Sequence, residues 1–197
     1  MKSKNVITVN VPSDKIVIDR LEAALRLKIP PEYTDENIAG CEEKLRQALM
    51  CRYAYVKVPV TLKNEKICDI GFGKIESRDL AEALFGCSSA YILGATTGIG
   101  VDRLISRLSV ISKAQCFITD ALASAAAESL CEYADNELRG TGKKPLRFSP
   151  GYGDLPLSVQ PDVLEMLNAP ETLGITLNSS LLMTPVKSVT AVMGIPD

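Results

Sequence analysis

An α+β domain with a mainly antiparallel sheet is the fold class this sequence predicts, on two observations. Stretches with apolar period two and stretches with helical period are interspersed along the chain, and they never settle into a regular β-α-β succession. Length sets the scale: 197 residues suit one domain, 1–197, large enough to bury a real core. Within it, residues 1–52 read as mostly helical, and 53–197 as sheet and helices carrying an irregular arm at 145–157. With 46% hydrophobic and 23% charged residues the composition is that of an ordinary soluble globular protein.

The start, from Met1 to Asn10, has the positive charges of a secretory leader but only a short apolar run, closed by Pro12, and is read as a first strand. Ser13-Asp14 can cap a helix whose stripe is Ile18, Leu21, Ala24, Leu25 and Lys28, stopped before Pro30-Pro31. A second helix is predicted to open at Thr34-Asp35-Glu36-Asn37, with Ile38, Cys41, Leu45, Ala48 and Leu49 on one face. Alternation from Ala54 to Val60 gives a strand whose Pro59 suggests an edge or a bulge. Leu62 to Ile67 reads as a turn into a strand from Ile67 to Phe72. Ser77 then caps a short helix from Arg78 to Phe85, closed by Gly86.

Ser89 to Ala95 is a buried strand by its apolar run. It leads through Thr96-Thr97-Gly98-Ile99-Gly100 into a helix from Val101 to Ser112, with Leu104, Ile105, Leu108 and Ile111 inward. The longest helix is predicted from Lys113 to Arg139. Its Ala121, Ala123, Ala125, Ala126 and Ala127 give a smooth surface open to close approach by a neighbouring helix, strand or ligand. A last helix from Gln160 to Asn168 precedes strands at Gly174–Asn178, Ser180–Thr184 and Lys187–Ile195.

Bulk properties remove several function classes. A net charge of −2 and a pI near 5.4 argue against nucleic acid as the main partner. No segment approaches the ~20 apolar residues of a membrane span. Six cysteines, Cys41, Cys51, Cys68, Cys87, Cys116 and Cys131, lie far apart with no Cys-x-x-Cys pair, which favours free thiols in a reducing cytoplasm over a zinc or redox site. Histidine is absent, so Ser-His-Asp, Cys-His and His-metal chemistry are excluded.

The glycines of Gly94-Ala95-Thr96-Thr97-Gly98-Ile99-Gly100, between a strand and a helix, fit a dinucleotide-cradling turn. A Tyr-x-x-x-Lys, Tyr53 to Lys57, is also present. It precedes the glycines and lies on an alternating strand, and fewer than 100 residues follow Gly100 without further parallel-strand units. A structural strand-to-helix turn is the better reading.

The arm is Pro145-Leu146-Arg147-Phe148-Ser149-Pro150-Gly151-Tyr152-Gly153-Asp154-Leu155-Pro156-Leu157. Three prolines lack amide donors and two glycines tolerate positive φ, so the backbone cannot be regular. Arg147 can hold a carboxylate by two bonds, and Tyr152 offers a flat ring with a polar tip. The residues by themselves fit either a plain surface turn or a site for a small anionic or zwitterionic ligand.

Arg147-x-x-x-Gly151-Tyr152 resembles the signature of the activation domain of cobalamin-dependent methionine synthase. The likeness continues through Gln160 to Leu167, Leu173 to Leu177, Ser179 to Pro185 and Ser188-Val189-Thr190-Ala191. It covers roughly the last third of the chain by motif, and the earlier part by pattern is most similar to stand-alone proteins carrying this domain. The resemblance implies a twisted antiparallel sheet flanked by helices, and S-adenosylmethionine bound by Arg147, Ser149, Gly151 and Tyr152. It adds Glu128, at the end of Leu122-Ala123-Ser124-Ala125-Ala126-Ala127-Glu128, as a ligand-facing carboxylate that could equally be an exposed helix charge. Asp154 reads more as a turn residue than as a ligand contact.

The function implied is reactivation: one electron from a flavodoxin- or ferredoxin-type donor and a methyl group from S-adenosylmethionine rescue oxidised cobalamin. With no histidine of the carrier kind, the cobalamin would sit on a partner, a methionine synthase subunit of a split enzyme. The chain would then be a component of that methyltransferase and of methionine biosynthesis rather than a complete enzyme. Alternatives are a non-catalytic docking module for a corrinoid protein, or a reactivation partner of another corrinoid methyltransferase. One departure stands out: family members have Gly-x-Tyr-Phe where this chain has Ala191-Val192-Met193-Gly194.

Overall fold

The computed structural model describes residues 5–30, 35–142 and 144–197. The expectations placed on Met1 to Lys4, Pro31, Thr34 and Lys143 lie outside them. The centre is a five-stranded sheet of order β1-β2-β6-β10-β7, antiparallel throughout. These strands are β1 Ile7–Asn10, β2 Arg52–Pro59, β6 Cys87–Thr96, β7 Arg147–Phe148 and β10 Ser188–Pro196. Two smaller sheets accompany it: β3 Thr61–Asn64, β4 Ile67–Asp69 and β5 Lys74–Glu76 form one, β8 Thr176–Leu177 and β9 Met183–Thr184 the other.

Both faces of the main sheet are buried, so its central strands read as apolar runs rather than as strict alternation. Tyr53, Leu93, Ala95, Ala191 and Met193 point into a core shared with helices α1 Arg20–Leu27, α2 Glu36–Ala48, α4 Ile99–Ile111 and α5 Lys113–Arg139. The residues between them, Ala54, Val56, Val58, Ala90, Ile92 and Val192, point into a second core. That core is closed by α3 Arg78–Ala83, α6 Gln160–Leu167, α7 Ala169–Thr172 and the three-stranded sheet. The alanine surface of α5 is buried: Ala121, Ala123, Ala125, Ala126 and Ala127 all have little exposure, and Ala123, Ala125 and Ala126 belong to the first core. No described helix is long and apolar enough to cross a membrane.

Several local expectations are corrected. Ser13–Lys15 makes only a 3-10 turn, and α1 starts at Arg20 because the Asp19 carboxylate accepts from the amides of Leu21 and Glu22. Leu21 and Leu25 are consequently exposed, while Ile16, Ile18, Ala23 and Ala24 are buried. Ile111, expected inward, is also exposed. Pro59, by contrast, meets its edge expectation locally: Val60 N–H donates to Ser88 O, so position 59 faces the side opposite β6, beyond the residues of β2 that pair with β1. The turn read over Leu62–Ile67 is confined to its second half, where Asn64 Oδ1 accepts from Lys66 and Ile67 N–H, because β3 runs to Asn64; the strand expected to Phe72 stops at Asp69, followed by the unforeseen β5. Helix α6 ends at Leu167, with α7 following directly.

The glycine turn before α4 is structural. A Cβ on Gly98 would meet Met50 Cβ at 2.8 Å, and one on Gly100 would meet Ala48 O at 2.7 Å. Their lack of side chain lets the end of α2 close against the turn, where Met50 N–H donates to Thr97 O at 2.9 Å. The space a pyrophosphate would need is taken by protein.

Candidate functional site

A cleft of about 670 Å³ opens at the β10 end of the main sheet, between the arm, α5 and the segment 181–190. It exists because β7 is short. Only Val192 and Met193 of β10 pair with Phe148 and Arg147, so Ser188 to Ala191 have no strand on that side among the described residues. Alternate residues there direct their backbone N–H and C=O away from β6, toward the cleft.

The arm is fastened at both ends. At its start, Arg139 donates to Pro145 O at 2.9 Å and Gly194 O at 3.0 Å and pairs with Asp135, four residues back on α5. Asp135 also holds Lys144 at 3.3 Å. Burial raises the Asp135 pKa, but the hydrogen bonds and charges of Arg139 and Lys144 outweigh it and leave the group below its ordinary value. At the far end, Asp154 accepts from Ser77 Oγ and from the amides of Arg78 at 2.7 Å and Asp79 at 3.2 Å, capping α3 from outside. These bonds, led by the one from Ser77, lower the Asp154 pKa. In return Asp154 N–H donates to Asp79 Oδ2 at 3.1 Å. Asp154 is thus the anchor of the turn, in line with its sequence expectation.

Between the anchors the chain makes a tight loop. Tyr152 N–H donates to Ser149 O, Gly151 N–H to Leu155 O and Leu155 N–H to Tyr152 O, at 2.9 to 3.1 Å. Gly151 (φ 90°) and Gly153 (φ 54°) take the left-handed backbone that this path requires. Leu155 is driven into the second core at 2% exposure, which points the opposite side of the loop to the cleft.

The five residues singled out by sequence divide as follows. Arg147, Ser149, Tyr152 and Glu128 all line the cleft. Arg147 Nη2 stands 3.6 Å from Glu128 Oε2, a loose pair at a partly exposed site and therefore worth little by itself. Arg147 Nη1 is buried with no hydrogen-bond partner among the described residues. Tyr152 lies at the rim with its ring largely exposed. Gly151 shapes the loop and is not part of the lining.

Among the lining positions that sequence reasoning did not single out are Gln160, Cys131 and Leu181. Gln160 is 2% exposed and donates to Thr190 Oγ1 at 2.8 Å and to Met183 Sδ at 3.4 Å, tying α6 to β10 and β9 across the cleft floor. Cys131 lies one helical turn from Glu128, and burial pushes its thiol up to about 12. Leu181 belongs to the loop joining β8 to β9. Gln160 and Leu181 fall in the Gln160–Leu167 and Ser179–Pro185 blocks of the resemblance, which was the available signal; Cys131 carries none.

Chemically, the cleft sets an unsatisfied guanidinium donor and a carboxylate side by side, beside an uncovered strand edge, with Leu157, Leu182 and Val186 making the remainder apolar. That combination suits a zwitterionic head joined to a less polar body.

No family model matches the sequence, and no curated protein matches it. Among solved structures, the chain is similar to a crystal structure described as the MetH reactivation domain bound to AdoHcy, with a TM-score of 0.77 and 15% sequence identity. The match covers 100% of this chain and 80% of that one. The fold is therefore that of a methionine synthase reactivation domain, as the sequence resemblance implied.

Proposed function

We propose that this protein is an S-adenosylmethionine-binding reactivation subunit that serves a cobalamin-dependent methionine synthase whose corrinoid is carried on another chain. One observation carries the reading: Arg147 Nη1 is buried, without a hydrogen-bond partner among the described residues, in a cleft that also presents Glu128. A buried charged donor left unmade is costly, and a ligand carboxylate is the group that would satisfy it. Glu128 is then free to take the ammonium of the same amino-acid head, and the open edge of β10 offers backbone acceptors and donors alongside. The Tyr152 ring lies at the mouth, where its face can meet a sulfonium cation. The likeness to a domain crystallised with AdoHcy supports the same ligand class.

When present on the partner and reduced by a flavodoxin- or ferredoxin-type donor, the corrinoid supplies the nucleophile that takes the methyl group. The residues here need only place the sulfonium in line; no proton has to move, and the contribution of the chain is positional. The six free thiols support a reducing, cytoplasmic setting.

Calorimetric titration with S-adenosylmethionine and S-adenosylhomocysteine, with and without a cobalamin carrier, tests this. Wild-type protein should bind, and Arg147→Ala should weaken binding by about 10- to 100-fold, the loss of a charge-assisted contact. No heat in either setting, with Arg147→Ala indistinguishable from wild type, would refute it.

A second reading, a docking module that no longer uses the methyl donor, draws on Met193. That position, where the resembled family has tyrosine, is fully buried in the α5-side core and contributes nothing to the cleft. Capture of a cobalamin carrier unaffected by S-adenosylmethionine would favour it.

A further inference from the structure

Three described residues other than glycine have positive φ: Lys28, Asn168 and Leu181. Two of them have an evident role. Lys28 and Asn168 are the left-handed C-caps of α1 and α6, where such a conformation closes a helix. Leu181, at φ 60°, caps no helix. It sits in the turn between β8 and β9, where glycine or asparagine would fit without strain and a branched apolar side chain is disfavoured.

The turn is held firmly enough to impose that conformation. Asn178 Oδ1 accepts from Ser180 N–H at 2.9 Å and from Leu182 N–H at 3.0 Å. Asn178 O accepts from Leu181 N–H at 3.0 Å, and Asn178 N–H donates to Leu182 O at 3.1 Å. These bonds are made by Asn178 and by backbone, so none of them needs a leucine at 181. What the leucine adds is side chain, and that side chain is half-buried in the wall of the cleft that contains Arg147 and Glu128.

We infer that Leu181 is a specificity-determining residue of the cleft, held in a strained conformation so that its isobutyl group packs on the uncharged body of the ligand while Arg147 and Glu128 hold its charged head. This rests on the reading of the cleft as an S-adenosylmethionine site. It adds that the wall is shaped by apolar contact at a fixed point rather than by the arm alone.

The test compares wild type with Leu181→Gly, Leu181→Asn and Leu181→Met, measuring the melting temperature without ligand and the affinity for S-adenosylhomocysteine by calorimetry. Gly and Asn both accept the left-handed backbone, so both variants should melt within a few degrees of wild type, yet bind at least about tenfold more weakly. Met, which restores apolar bulk, should recover most of the affinity. A free amino-acid head such as methionine, used as a second probe, should be bound equally by all four proteins. Unchanged S-adenosylhomocysteine affinity in both Leu181→Gly and Leu181→Asn would overturn the inference while leaving the site reading intact. Wild-type protein that does not bind S-adenosylhomocysteine would remove the site reading and this inference with it.

Discussion

Replacing Gly153 by alanine addresses how the arm is held. A Cβ built there would collide with Asp79 Oδ2 and lie 3.2 Å from Phe148 Cζ, on a backbone with φ 54°. The left-handed conformation alone disfavours alanine by roughly 1–2 kcal/mol. The Asp79 carboxylate is the end of a flexible side chain and can turn aside, but only by giving up the 3.1 Å bond from Asp154 N–H, a further loss of about 1 kcal/mol. Together these give about 2–3 kcal/mol, or a fall in melting temperature of roughly 4–12 °C for a chain of this size. Gly174→Ala is the matched control, because Gly174 has φ 69° with open space around it, so it should show the conformational part alone. Thermal and urea unfolding of both variants would separate the two contributions. If Gly153→Ala melts with Gly174→Ala, the contact between the arm and α3 does not contribute as described, and the account of the anchor fails.

Two other outcomes follow from the geometry. Arg139→Leu leaves Asp135 and two carbonyls without their shared donor at a site where the arginine side chain is 3% exposed, so destabilisation should reach about 3–5 kcal/mol in urea unfolding. Iodoacetamide at pH 8, read by mass spectrometry, should label half-buried Cys116 before Cys51, Cys68 and Cys131. Burial raises the pKa of the last three to about 11, about 11 and about 12, which keeps them as unreactive thiols. Labelling of Cys131 at the rate of Cys116 in folded protein would contradict this.

Legibility from sequence followed the strength of local signals. Helix α5 was predicted to its observed ends because Ser112, a run of good helix formers and Gly140 all agree. Helix α1 was started too early because Ser13-Asp14 was read as its cap, whereas Asp19, six residues after Ser13, caps it once Ile16 and Ile18 are packed into the core. Strands β3, β5 and β7 have two to four residues each, too few for a period to register, and they exist through pairing with distant partners. At the site, Arg147 and Glu128 were both found through motif resemblance, but their juxtaposition across 19 positions of chain was not written in either. The anchors were less visible still: Asp154 looks like any turn aspartate until α3 is placed beneath it, and Arg139 like any helix-terminal arginine until Gly194 comes within its reach.

The fastening of residues 145–157 at both extremities has a mechanical corollary. A segment pinned to α5 at one end and to α3 at the other, and stitched to the sheet by two residues, cannot swing out as a flap with a free tip. Because Arg147 is itself one of the two residues paired with β10, its backbone is tied to the sheet, and the guanidinium can be repositioned only by rotation about its own side-chain bonds.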